Sequence, residues 1–130
     1  GAPVTIKEFE NRDEMVKRIR ERLDEFKENG LKNIALICKT VEDCEKLKKE
    51  LDIDEIHVIS DSDSEYAGGI SIVPSYLSKG LEFDSVIITD ADVNNYSKSE
   101  VDTKLLYVCI TRAMSILDIY HVEPLTELLK

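Results

Sequence analysis

Apolar and polar positions alternate through residues 4–9, where Val4, Ile6 and Phe9 are interleaved with Thr5, Lys7 and Glu8, and this period predicts a short edge strand. The period then lengthens to that of a helix. Met15, Ile19, Leu23 and Phe26 recur at i, i+4, i+8 and i+11, which gathers them on one face, and Gly30 stops the run. Asn11 stands where a helix cap belongs, with Glu14 three residues on as its capping-box partner. The outer face of residues 12–28 carries six basic and six acidic side chains, a balance that suits solubility rather than recognition.

Residues 34–38, Ile-Ala-Leu-Ile-Cys, form an unbroken apolar run of the length expected for a strand buried on both faces. Thr40 and Asp43 repeat the capping signal, and Val41, Cys44, Leu47 and Leu51 line one side of the helix that follows. Further strands are predicted at 56–59, 70–73, 85–89 and 116–120, a helix at 101–113 and a last short helix from 123. Strands that alternate with helices, several of them continuously apolar, imply an α/β three-layer sandwich with a mostly parallel sheet. The acidic, Ser- and Gly-rich residues 60–69 read as a mobile loop.

The 130 residues fit one domain, and 42% apolar with 34% charged residues is a globular composition. The opening Gly1-Ala2-Pro3 suggests that this domain is excised from a larger protein. No apolar stretch reaches the roughly 20 residues a bilayer demands, and the amino end lacks a signal-peptide pattern, so no membrane role is expected. Cys38, Cys44 and Cys109 are odd in number and widely spaced, form no zinc pattern with His57 and His121, and fit packing in a reducing cytoplasm. The formal net charge of -10 is concentrated in residues 41–65, where ten acids face three lysines. Such a surface repels phosphate backbones, which argues against strong nucleic-acid binding by this domain alone.

In open parallel sheets, ligands bind beyond the carboxyl ends of strands, which directs attention to two segments. The first is residues 74–84, Pro-Ser-Tyr-Leu-Ser-Lys-Gly-Leu-Glu-Phe-Asp, where Gly80 permits close backbone approach to an anion and Glu82 can accept hydrogen bonds from ribose hydroxyls. By itself a Lys-Gly turn between strands is usually only a turn. The second is residues 105–113, an apolar helix end from which Arg112 projects a planar, permanently charged fork suited to phosphate. Alone, that arginine would be read as a cation stabilising a helix terminus. Asp90 and Asp92 form an Asp-x-Asp pair after a strand, an arrangement that could hold magnesium in a phosphotransfer module, although Asp-rich turns are common there.

Together, Lys79-Gly80-Leu81-Glu82-Phe83-Asp84 and the later Leu105-Leu106-Tyr107-Val108 with Thr111-Arg112-Ala113 resemble motifs V and VI of the UvrD, Rep and PcrA superfamily 1 helicases. Residues 34–40 resemble the strand those proteins place before motif V, and the variant Val73-Pro74-Ser75-Tyr76-Leu77-Ser78-Lys79 with Thr111-Arg112-Ala113-Met114 is similar to the HelD branch. Members of that branch include a partner of bacterial RNA polymerase.

The resemblance implies a second RecA-like motor domain, a P-loop NTPase-like fold without its own P-loop. It implies Arg112 as the arginine finger, Gly80 and Glu82 as nucleotide contacts, and Tyr76, Ser78 and Lys79 as the residues that couple nucleotide state to the strand. Tyr76 and Leu77 depart from the common UvrD pattern, which bears on the DNA contacts. The sequence holds no GxxxxGK[ST] loop and no apolar strand ending in Asp-Glu, so ATP and magnesium are expected in the full-length parent and neither on this domain alone. The implied partners are a preceding RecA-like domain of the same protein, single-stranded DNA and, as a candidate, RNA polymerase. Two alternatives remain beside the helicase reading: a HelD-like protein-interaction module, and the magnesium phosphotransfer module built on Asp90 and Asp92.

Overall fold

The computed structural model describes residues 2–61 and 68–130. Its strands are β1 (Val4–Glu8), β2 (Ile34–Cys38), β3 (His57–Val58), β4 (Ile70–Pro74), β5 (Phe83–Ile88) and β6 (Ala113–His121). The helices are α1 (Arg12–Glu28), α2 (Val41–Leu51) and α3 (Glu100–Ile110). The strands form a single sheet in the order β1-β6-β5-β2-β4-β3, with every named pairing parallel. The expected α/β architecture with helices on both faces is therefore present.

Alternation along β2 shows how the layers are built. Ile34, Leu36 and Cys38 point into a cluster with Met15, Ile19, Leu23 and Phe26 of α1 and Cys44, Leu47 and Leu51 of α2. Ala35 and Ile37 point the other way, into a cluster with Phe83, Val86 and Ile88 of β5 and Leu106 and Cys109 of α3. Both caps form as the sequence suggests: the Asn11 side chain accepts from the Glu14 N–H at 2.9 Å, and Thr40 Oγ1 accepts from the Asp43 N–H at 3.1 Å. All three cysteines are buried and free, as their apolar settings indicate.

Three expectations need correction. The helix predicted to reach residue 113 stops at Ile110, because the Phe83 N–H donates to the Arg112 carbonyl at 3.0 Å and draws Arg112 toward the start of β6. Sheet pairing thus overrides an apolar helical pattern. The helix expected from residue 123 is only a 3-10 turn, Glu127–Leu129, since Leu125 bridges Asp92 and the Thr126 N–H donates to the Ala91 carbonyl. The strand predicted at 56–59 shortens to the two residues of β3. The mobile loop expected at residues 60–69 falls largely on 62–67, outside the described residues. Among the described residues no helix is long and apolar enough to cross a membrane.

Candidate functional site

Parallel pairing puts all strand carboxyl ends on one edge of the sheet, and the chain must return to the opposite edge before each new strand begins. The link between β4 and β5 is short. It leaves Pro74 at the carboxyl edge, makes the 3-10 turn Ser75–Leu77 against α3, and reaches the amino edge by Phe83. Tyr76 therefore lies near the carboxyl edge, Ser78 and Lys79 lie along the crossing, and Gly80 and Glu82 lie near the amino edge. Arg112, just before β6, is at that amino edge too. The rule that directs attention to carboxyl ends fits Tyr76 but misplaces Gly80, Glu82 and Arg112. The nearness of Glu82 to the start of the following strand was the available signal.

At the amino edge the two segments are joined directly. Besides the bond from the Phe83 N–H, the Arg112 guanidinium donates from Nη1 to the Leu81 carbonyl at 3.2 Å and from Nε to the Val108 carbonyl at 3.0 Å. Its Nη2 donates to Thr111 Oγ1 at 3.2 Å. These acceptors are neutral, and among the described residues no carboxylate pairs with this half-buried cation. The arrangement therefore holds a guanidinium whose donors are set in a fixed fork by neutral acceptors, with no compensating carboxylate among the described residues. Gly80 adopts φ 84°, and a Cβ built there would meet nothing within 4 Å, so the turn has open space before it. Glu82 is exposed beside it. The Asp84 carboxylate anchors the end of the crossing by accepting the Lys32 and Asn33 N–H groups at 3.1 and 3.0 Å.

Ser78 is fully buried, and its hydroxyl donates to the Ser75 carbonyl at 2.9 Å while lying 3.7 Å from Cys109 Sγ. It ties the crossing to α3 rather than reaching solvent. Burial pushes the Cys109 thiol up to about 11 against the opposing pull of Ser78, which keeps it protonated at neutral pH. Tyr76 is 49% exposed, and its hydroxyl donates to Asp61 Oδ2 at 3.2 Å. Partial desolvation and then the Asp61 charge push its phenol up. Lys79 is exposed.

The carboxyl edge holds an ion network that sequence reasoning missed. Lys39 Nζ pairs with Asp102 Oδ1 at 3.1 Å, donates to the Asn95 carbonyl and sits over the Tyr96 ring, pinning the amino end of α3 to the end of β2. The Ser97 backbone N–H, together with Lys39, holds the Asp102 carboxyl below its usual range. The Asp90 carboxylate accepts from Arg12 Nη1 at 3.0 and 3.1 Å, and burial still pushes it upward against that cation. Asp92 Oδ1 accepts from the Asn94 and Asn95 N–H groups and from Asn95 Nδ2, each at 3.0 Å, closing a tight turn. Both carboxylates are thus committed to protein partners. Among the described residues no three His, Cys, Asp or Glu side chains gather as metal ligands.

The sheet, its flanking helices and the joined amino-edge segments define an α/β RecA-like domain. Residues 69–117 match the UvrD-like helicase C-terminal domain family. The crystal structure of the C-terminal domain of a possible DNA helicase from Lactobacillus plantarum WCFS1 superimposes with a TM-score of 0.79 at 32% identity, over 98% of this chain and 78% of that one. No curated protein sequence matches the chain. The chain belongs to the UvrD-like helicase C-terminal domain family.

Proposed function

We propose that this domain is the carboxyl-terminal motor half of an ATP-dependent DNA helicase or translocase, supplying one wall of a nucleotide site that a preceding RecA-like domain completes. The observation that carries the proposal is the junction of Arg112 with Leu81 and Phe83, which fixes a cation without a carboxylate partner among the described residues beside the open Gly80 turn and the exposed Glu82. That pairing of donors at Arg112 with an acceptor at Glu82 fits a phosphate and a ribose. Bound MgATP would supply the transferable γ-phosphoryl group in the parent. Arg112 orients its fork toward the charge that develops there, Gly80 allows close backbone approach, and Glu82 accepts from the ribose hydroxyls.

Coupling follows from the crossing itself. Residues 75–82 run from one edge of the sheet to the other, so a pull on the Leu81 carbonyl through Arg112 is carried past the buried Ser78 and Cys109 toward Tyr76, with Lys79 exposed along the way. Tyr76 and Lys79 are the groups exposed to a single strand, while Ser78 transmits without touching it. The finer HelD reading, with RNA polymerase as partner, rests on the Pro74-Ser75-Tyr76-Leu77 variant of the motif.

Glu82→Ala in the full-length parent is expected to raise the KM for ATP about tenfold or more, as loss of a charged hydrogen bond requires, with kcat changed only a few-fold. Steady-state ATP titration measures both constants. An unchanged KM removes Glu82 from the nucleotide site.

A further inference from the structure

Three of the five N–H donors of the Arg112 guanidinium are engaged within the domain: Nε with the Val108 carbonyl at 3.0 Å, Nη1 with the Leu81 carbonyl at 3.2 Å and Nη2 with Thr111 Oγ1 at 3.2 Å. One N–H on each terminal nitrogen is left. Thr111 stands just past α3 as its carboxyl cap, and its hydroxyl donates in turn to the Val108 carbonyl at 2.8 Å. A threonine bonded to a carbonyl one turn back is a common local contact. Here the same hydroxyl and the same carbonyl also hold the guanidinium, so Val108, Thr111 and Arg112 close a small ring of hydrogen bonds. Contacts at Val108 and Leu81 alone would leave the guanidinium plane free to swing about the line between them. The third contact, at Thr111, stops that swing, and the Thr111 proton given to Val108 turns the hydroxyl oxygen to accept from Nη2.

We infer that Thr111 is a positioning residue for Arg112, setting the plane of the fork so that its two remaining N–H groups, one on each terminal nitrogen, meet two oxygens of a terminal phosphate. The inference rests on the reading of Arg112 as the finger of a nucleotide site. Because the Thr111 hydroxyl is engaged by Val108 and Arg112, it acts through the arginine and not on the phosphate. The side chain is exposed, so its hydroxyl adds little to the stability of the fold. A threonine that only capped α3 would affect the helix end and leave the arginine's motion as it is.

The test begins with this domain, where NMR measures the rate of rotation about the Arg112 Cζ–Nη2 bond, which a hydrogen bond at Nη2 slows. Thr111→Val keeps the branched shape and removes the hydroxyl; it is expected to speed the rotation several-fold with the melting temperature little changed, and Thr111→Ser is expected to bring the slow rotation back. In the full-length parent, Thr111→Val is expected to lower kcat for ATP about tenfold, part of the roughly 10²-fold that a misplacement of about 1 Å can cost. The KM should stay within about twofold, because Gly80 and Glu82 are untouched. Thr111→Ser should recover most of the lost turnover. Equal rotation rates in the wild type and Thr111→Val, a full kcat in Thr111→Val beside an inactive Arg112→Ala, or a loss that serine does not restore each overturns this inference alone. Near-normal turnover in Arg112→Ala overturns the nucleotide-site reading, and this inference with it.

Discussion

Arg112→Ala in the full-length parent is expected to lower ATP turnover by about 10³- to 10⁵-fold, the range over which arginine fingers act in phosphoryl transfer, and to leave the domain folded. The two halves of this expectation have separate causes. Catalytically, alanine removes the charge that the Leu81, Val108 and Thr111 acceptors orient. Structurally, these acceptors sit around an exposed or half-buried turn where water can replace the guanidinium, so the loss of stability should stay within about 1–2 kcal/mol. Arg112→Lys is expected to restore little, because a point charge cannot hold two acceptors and a phosphate in one plane. Single-turnover kinetics with a circular-dichroism melt of the variant domain would measure both, and near-normal turnover would refute the finger assignment.

The largest stability effect is expected far from that edge, at Asp118. Its side chain is 3% exposed and receives Arg22 Nε at 2.8 Å, Arg22 Nη2 at 3.3 Å and the Tyr120 hydroxyl at 2.8 Å. Arg22 stacks over the Phe26 ring at 4.5 Å, so its guanidinium is fixed against the core. Asp118→Ala would leave the Tyr120 hydroxyl buried without this acceptor and the guanidinium with Glu25 alone, at 3.0 Å. The expected cost is about 3 kcal/mol, toward the lower end for breaking a buried ion pair because Glu25 remains. Asp118→Asn keeps an acceptor and should cost less. Urea unfolding measures both, and a loss below about 1 kcal/mol for the alanine variant would show that the Arg22 network contributes little.

Much of this fold was legible in the chain because local and tertiary preferences agree. The Ile34–Cys38 run is apolar throughout and is buried on both faces, and Asn11 and Thr40 cap helices whose apolar periods match the core they meet. The residues of α3 agree only in part. Thr111 to Ala113 continue an apparently helical pattern, but pairing with β5 begins there, and a long-range hydrogen bond decides the boundary. The candidate site was legible as residue types and not as a place. Glu82 and Arg112 stand out as residue types suited to ribose and phosphate respectively, yet their position at the amino edge depends on how quickly the chain recrosses the sheet after Pro74. The Lys39–Asp102 and Arg12–Asp90 pairs were hidden for a related reason: each joins segments distant in sequence.

The most direct measurement is the NMR response of the Arg112 Nε–H and the amides of residues 79–84 to a nonhydrolysable ATP analogue with magnesium, before and after the parent's preceding motor domain is added. A nucleotide site divided between two domains requires weak, localised shifts at first and strong, saturable ones once the preceding domain is present, with Asp90 and Asp92 unmoved. Shifts centred on Asp90 and Asp92 with magnesium alone, or no response at Arg112 with both domains and the analogue together, would contradict it.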